Sequence, residues 1–97
     1  MADGLIEIRA MDVVSGTSTN LEGVTLFYAL DEAFMKGKKV RLSLYGATPF
    51  SSSFLNSSFG NLIEKYGIEQ LQSSLFLTQY SAGQAKRIRD YIFQIAD

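Results

Sequence analysis

Short segments with an apolar period of two alternate along the chain with longer segments of helical period, and this alternation constrains the fold most strongly. The predicted strands cover residues 5–11, 39–45 and 74–80. The predicted helices run from about residue 21 to 37, from 49 to 66, and from 81 to the C-terminus, with a short helical turn or loop at 68–72. A β-α-β-α-β-α order is typical of parallel strands joined by right-handed crossovers. We therefore expect one α/β domain over residues 1–97, built on a small, mostly parallel sheet.

The sequence marks the start of each predicted helix. Thr19 and Glu22 have the spacing of a capping box, and Ser81 and Gln84 repeat that spacing before the last helix. Pro49 suits the first position of the middle helix, because the N–H group that proline lacks would have no intrahelical partner there. Three helices with defined starting points are therefore predicted.

The two faces of the predicted sheet differ in polarity. Parallel strands that carry helices on both faces are usually apolar throughout, but the first two strands here alternate apolar with polar residues. We therefore expect the helices to pack mainly on one face and to leave the other open. The residues predicted for a contact on this open face are Arg9, Arg41, Tyr45, Phe76 and Tyr80. Its aromatic side chains favour a partner protein or a second copy of the chain, and a solvated face is the alternative.

Charge and composition exclude several classes of partner. Nine basic and ten acidic residues leave a formal charge of −1, without the excess of Lys and Arg that nucleic-acid binding needs. The chain has no histidine and no cysteine, which excludes disulfides, thiolate sites, histidine-containing metal sites and His-based triads. No apolar stretch approaches the ~20 residues that span a bilayer, and the first residues lack the pattern of a signal peptide. We expect no nucleic-acid, membrane or metal partner and a cytoplasmic location.

The remaining polar residues do not favour catalysis. A nucleophilic serine needs a base within reach, and no such group is near the serine run in the sequence. Asp31 and Glu32 are consecutive on a helix, so their side chains diverge by about 100° and are better explained as a solvated helix face. The glycine spacing and the lysine of a phosphate-binding loop are absent. The sequence therefore predicts no catalytic residues and no cofactor.

Residues 40–67 carry a resemblance to a known family. They read VRLSLYGATPFSSSFLNSSFGNLIEKYG, which is a strand, a tight turn, a serine run at a helix start, then Phe-Leu-Asn and a helix that contains Gly60. This segment resembles the STAS-like domains of the DUF4325 family. The preceding helix and the SLFLTQYS segment with the last helix also fit that layout, so the resemblance covers about residues 21–97.

The resemblance implies a fold related to anti-sigma-factor antagonists and a role in protein binding. Members of the wider STAS group bind regulatory proteins, often ATP-binding serine kinases of the GHKL type. In the antagonists of that group, a serine at the start of the helix after a central strand accepts phosphate, and phosphorylation releases the partner. The resemblance thus implies another protein as the partner, with a kinase-like protein as the leading candidate.

Carried over by position, the phospho-acceptor is Ser53, with Ser52 as the neighbouring possibility. The chain departs from the antagonist pattern, because Ser52 stands where those proteins have Asp, and Phe54 with its neighbour stands where they have Ser-Gly. The family often has an acidic pair after the Phe, and Asn56 with its neighbour replaces that pair here. Together with Ser51, these residues are the candidates for phosphorylation or partner binding.

Two explanations of the serine run stay open. A helix N-terminus accommodates an anion, and a phosphate there adds up to about −2 charge, which can dock an arginine or repel an acidic partner. Alternatively, Ser51, Ser52 or Ser53 is simply a cap or first-turn residue of the helix.

Three functional hypotheses follow. The first is a non-catalytic protein-binding regulator, switched by serine phosphorylation. The second is a small phage or mobile-element inhibitor, or a structural interaction protein, that uses the same fold without phosphorylation. The third is an unrecognised hydrolase or nucleotide-binding protein. A homodimer is compatible with each of them.

Overall fold

In the computed structural model, which describes residues 4–47 and 49–96, a three-stranded sheet is combined with helices. The strands are β1 (Leu5–Arg9), β2 (Lys39–Ser43) and β3 (Leu75–Thr78). The helices are α1 (Ala10–Val13), α2 (Asn20–Met35), α3 (Ser52–Leu55), α4 (Asn61–Tyr66), α5 (Ile68–Ser74) and α6 (Ala82–Ala96). A π-helical turn, Asn56–Gly60, joins α3 to α4, so residues 52–66 form one continuous helix, here called the middle helix. The predicted α/β class is confirmed.

All strand pairs are parallel, in the order β1-β2-β3. Two apolar rows run across one face of the sheet: Ile6, Val40 and Leu75, then Ile8, Leu42 and Leu77. Val40 and Leu42 are fully buried, and the other four pack against the core. The row on the opposite face, Glu7, Arg41 and Phe76, is exposed. The helices therefore cover mainly one face, as predicted.

Both predicted capping boxes form. Thr19 Oγ1 accepts a hydrogen bond from the Glu22 N–H at 3.1 Å, and Glu22 Oε1 accepts one from the Thr19 N–H at 3.1 Å. At the start of α6, Ser81 Oγ accepts from the Gln84 N–H at 3.1 Å, and Gln84 Oε1 accepts from the Ser81 N–H at 2.8 Å. These bonds satisfy N–H groups that a helix start leaves without partners, and they fix where α2 and α6 begin.

The strands are shorter than the alternating pattern predicts. β1 ends at Arg9 because the next residue, buried Ala10, begins α1, where the Val14 N–H bonds the Ala10 carbonyl at 3.0 Å. β3 ends at Thr78 because Gln79 has a φ of 54°, in the left-handed region that breaks an extended strand. Alternation describes which face a side chain takes, and it does not reveal where the backbone leaves the sheet.

The middle helix begins three residues later than predicted. Pro49 is exposed and precedes the helix, and Ser51 is the cap, with an extended backbone at φ −83° and ψ 162°. Ser51 Oγ accepts a hydrogen bond from the Phe54 N–H at 3.1 Å. A serine cap satisfies a free N–H directly, whereas proline at the first helical position only avoids creating one, so the prediction for Pro49 was wrong.

The π-helical turn is stabilised by side chains of the helix itself. Ser58 Oγ donates to the Phe54 carbonyl at 2.7 Å, and Asn61 Nδ2 donates to the Ser57 carbonyl at 2.9 Å. A wider turn disturbs the regular i to i+4 bonds, and these two donors give a partner to one carbonyl before the turn and to one within it.

Candidate functional site

The serine segment, residues 51–53, starts the middle helix beyond the carboxyl end of the central strand β2. Its first member has a structural task. Besides capping the helix, Ser51 donates through Oγ to the Ser18 carbonyl at 2.7 Å, and its N–H donates to the Thr17 carbonyl at 3.1 Å. Ser51 thereby holds the helix start against the loop before α2. Of the two explanations of the serine run, the capping role applies to this residue.

Ser52 is exposed and lies against an arginine of α6. Arg87 Nη2 donates to Ser52 Oγ at 3.2 Å, and Arg87 Nε donates to the Phe50 carbonyl at 3.2 Å. The second bond orients the guanidinium toward the serine segment. A planar guanidinium held next to a serine hydroxyl can pair with a phosphate on that hydroxyl through charge-assisted hydrogen bonds.

Ser53 is the second exposed hydroxyl of the segment. Within the described part of the chain its hydroxyl makes no hydrogen bond, while its carbonyl accepts one from the Asn56 N–H. It follows Ser52 on the first turn of the middle helix, so both hydroxyls are open to solvent at a helix start. The residue that the family resemblance selects as the acceptor is therefore accessible, and so is its neighbour.

Phe54 and Asn56 position the segment. Phe54 is 1% exposed and its ring stacks on Phe50, with centroids 5.7 Å apart and planes at 10°. Phe54 therefore anchors the segment in the core and presents no surface to a partner. Asn56 is exposed, and its Oδ1 accepts a hydrogen bond from the Tyr91 hydroxyl of α6 at 2.7 Å.

Helix α6 docks on the serine segment and the middle helix through one polar face. Gln84 Nε2 donates to the Ala47 carbonyl at 3.1 Å, and Arg87 and Tyr91 make the contacts given above. Burial raises the pKa of the Tyr91 phenol. A Cβ at Gly60 would meet the Tyr91 hydroxyl oxygen, so glycine there lets α6 approach. Residues 84, 87 and 91 are spaced by three and then four positions, which places them on one face of a helix. This spacing was the sequence signal for the polar face, and the prediction from sequence missed it.

A cavity of ≈ 360 Å³ lies between the loop that precedes the serine segment and the start of α6. Its lining residues are Ala47, Pro49, Phe50, Ser81, Gly83, Gln84 and Arg87. Arg87 supplies the one charge among these lining residues, so the space next to Ser52 is weakly polar with a single cation.

The residues predicted for the open sheet face are exposed: Arg9, Arg41, Tyr45, Phe76 and Tyr80. Arg41 Nη1 donates to Glu7 Oε2 at 2.8 Å across β1 and β2, in an ion pair whose side chains are 47% and 72% exposed. Arg41 also stands opposite Phe76 in the register of β2 and β3. Contact with a partner or a second copy through this face stays a prediction.

Asp31 was expected on a solvated helix face, and it is instead 8% exposed. Its carboxylate accepts hydrogen bonds from the Tyr66 hydroxyl and from Lys65 Nζ, the latter at 2.9 and 3.1 Å. The bond from Tyr66 and then that from Lys65 hold the pKa of Asp31 below its ordinary value. Hydrogen bonding to Asp31 raises the pKa of Lys65, and burial raises that of Tyr66. The carboxylate is thus engaged in joining α2 to α4.

Two further classes of site are absent from residues 4–47 and 49–96. No group of three or more Asp, Glu, His or Cys side chains within these ranges is arranged to hold a metal ion. Likewise, none of the helices described has the length and apolar character needed to cross a membrane.

Comparison with known proteins identifies the family. The family model described as a STAS-like domain of unknown function (DUF4325) matches residues 22–81, from the first turn of α2 to the residue before α6. No curated protein and no solved structure matches the chain. At a coarse level, a STAS-like domain fits a non-catalytic regulatory module. The family match covers more than half of the sequence and includes the serine segment and the middle helix, so the chain belongs to the DUF4325 family of STAS-like domains.

Proposed function

We propose that this protein is a cytoplasmic, non-catalytic regulatory module that binds another protein, and that phosphorylation of Ser53 or Ser52 controls the binding. The partner that the family relationship favours is an ATP-binding, kinase-like protein of the GHKL type. The observation that carries the proposal is the pair of exposed serine hydroxyls on the first turn of the middle helix, next to the guanidinium of Arg87.

The position of these hydroxyls supports a phosphorylation site. The serine segment opens a helix of fifteen residues, 52–66, which is anchored at its start by buried Phe54 and by the Ser51 cap. A kinase therefore meets two accessible hydroxyls on a fixed backbone. The start of a helix also tolerates the added negative charge, because its free N–H groups and dipole favour an anion.

The surroundings give a phosphate a defined consequence. A phosphate adds about −1.5 to −2 charge at pH 7. On Ser52 it would lie next to Arg87 and strengthen the contact between the middle helix and α6. On Ser53, whose hydroxyl makes no hydrogen bond within the described residues, it would stay on the surface and act directly on a partner. At either position the phosphate would repel an acidic partner surface, or would have to be desolvated against an apolar one, and the partner would be released.

The first experiment is affinity purification of the tagged protein from its own host, with mass spectrometry of co-purified proteins and of this chain's peptides. The expected result is one stoichiometric partner and phosphate on Ser52 or Ser53 in part of the population. Failure to recover any partner would contradict the proposal and direct attention to the third hypothesis, which thermal stabilisation by common nucleotides would test.

Binding of the purified partner to matched variants then separates the switch from simple binding. Ser52→Ala and Ser53→Ala should bind like the wild type, and Ser53→Asp or Ser52→Asp should lose binding. Ser73→Asp is the control, because Ser73 is an exposed serine of α5 and the substitution adds the same charge away from the serine segment. If both Asp variants at 52 and 53 bind like Ser73→Asp, the protein is an interaction module or inhibitor that works without phosphorylation.

A further inference from the structure

A groove of ≈ 590 Å³ lies between β3 and α6. Three consecutive residues of β3, Leu75, Phe76 and Leu77, contribute to its wall, although successive side chains of a strand point to opposite faces of the sheet. A groove that touches both faces of one strand must run along the edge of that strand. We call it the edge groove.

The edge of β3 in this groove has no neighbouring strand, because the order β1-β2-β3 leaves β3 paired on one side within the described residues. The Thr78 carbonyl accepts a hydrogen bond from the Leu44 N–H on the β2 side at 2.9 Å. Backbone groups of alternate residues point to opposite sides of a strand, so those of Leu75 and Leu77 point into the groove. The Leu75 N–H is bonded to the Leu71 carbonyl, which leaves the Leu75 carbonyl and both Leu77 groups for an added strand.

The side chains around the edge groove are mostly apolar, and several of them are exposed. Ile88 and Ile92 of α6 line it, and Phe76, Tyr80 and Phe93 are 43%, 49% and 66% exposed at its rim. A strand that adds to an edge takes its affinity from backbone hydrogen bonds and its specificity from pockets for alternate side chains. Both elements are present here.

The charge of the edge groove selects among possible occupants. Arg89 is the one charged side chain in the groove lining, and its guanidinium makes no hydrogen bond or close ion pair with the described residues, although its charge helps to lower the pKa of Asp90. Asp90, its neighbour on α6, is bound to Lys86 at 2.8 Å. In a twofold contact with a second copy, each groove would contribute its own Arg89, and neither groove lining contains a carboxylate to pair with the two arginines. An acidic partner is favoured instead.

We propose that the edge groove binds an extended segment of another protein, with alternating apolar residues and an Asp or Glu that pairs with Arg89, as a fourth strand next to β3. This contact is separate from the serine segment and does not depend on the phosphorylation proposed above. It gives the domain a second surface, on which the edge of the sheet and α6 recognise the partner together.

The probe is a panel of N-acetylated, C-amidated octapeptides of alternating valine and threonine, with one threonine at a time replaced by glutamate. Titration into 15N-labelled protein should shift the Leu77 amide resonance downfield and slow its exchange with solvent. The Phe76 amide, which points toward β2, is the internal reference and should change little. The peptides with lysine in place of glutamate should bind roughly two- to fivefold more weakly, as expected for a solvent-accessible ion pair.

Charge reversal provides the matched test. Arg89→Glu should favour the lysine peptides over the glutamate peptides. Lys36→Glu, at the residue that follows α2, should keep the wild-type preference with the same change in net charge. Arg89→Gln, which should abolish the preference, covers the case in which Arg89→Glu does not fold. The proposal is overturned if no peptide perturbs Leu77, or if glutamate and lysine peptides bind the wild type equally. Sedimentation as a dimer with the Leu77 amide already protected would also overturn it, since a second copy would then occupy the groove.

Discussion

Replacement of Asp31 by Asn tests the buried contact between α2 and α4. The carboxylate accepts hydrogen bonds from Tyr66 and Lys65. An asparagine amide keeps one acceptor oxygen, but its NH2 group would face one of these two donors, so one of the two hydrogen bonds is lost. The Lys65 side chain is 45% exposed and can turn to water, which limits the loss. Loss of a hydrogen bond to a buried charged group costs about 1.5–3 kcal/mol, and we expect Asp31→Asn to lower the free energy of unfolding by that amount.

Urea denaturation followed by circular dichroism measures this change, with Glu32→Gln as the matched control. Glu32 is the next residue, but its pair with Lys36 is long, at 3.7 Å, and both side chains are mostly exposed. The control should therefore change the free energy of unfolding by less than about 0.5 kcal/mol. Equal effects of the two substitutions would refute the reasoning that the burial of Asp31 determines how much the free energy of unfolding falls.

The pH dependence gives a second readout of the same contact. The pKa of Asp31 in the folded protein lies below its ordinary value of 3.8, so the unfolded chain takes up this proton first as the pH falls. The stabilisation is fully present above pH 3.8 and is lost as the pH falls through the lowered pKa of the folded state. The stability difference between the wild type and Asp31→Asn should therefore shrink below that pH. A difference that stays constant in acid would show that the charge of Asp31 is not its source.

Two further pairs of substitutions test the packing and the capping. A Cβ at Gly23 would lie 2.6 Å from the Phe54 carbonyl oxygen, so Gly23→Ala should force α2 away from the middle helix and destabilise the fold by about 1–3 kcal/mol in thermal unfolding. Gly83→Ala is its counterpart, because a Cβ there would make only an ordinary contact with the Ser81 hydroxyl oxygen, at 3.9 Å. This substitution should stabilise the fold by about 0.5–1 kcal/mol, and destabilisation at Gly83 would contradict this assignment. Ser51→Ala should cost about 1 kcal/mol through the lost cap, and Ser53→Ala should cost little, so similar losses at both positions would argue against the unequal roles of these serines.

The order of elements was readable from the sequence because each signal is local. Thr19 with Glu22 and Ser81 with Gln84 form their capping boxes within four residues, and the parallel arrangement follows from the order of strands and helices. The strand ends were less predictable. α1 begins within the region of continued alternation after β1, since the burial of Ala10 against the rest of the fold decides where the chain turns.

The candidate site was predictable in its position and not in its contacts. The family resemblance identified the serine segment, but the pairing of Ser52 with Arg87 joins residues 35 positions apart, and so does that of Asn56 with Tyr91. Such contacts depend on how α6 docks, for which a single sequence gives only a helical spacing. Asp31 was misassigned for the same reason, because its burial comes from Tyr66 of a distant helix.

The π-helical turn makes the geometry of the serine segment depend on the length of the middle helix. Removing one residue within Asn56–Gly60 would convert this turn to α-helix and rotate everything before it by about 100° relative to α4. Ser52 would then turn away from Arg87, and Phe54 would rotate out of its buried position in the core. In this chain, therefore, the single extra residue of the wide turn determines the direction in which the serine hydroxyls face relative to the last helix.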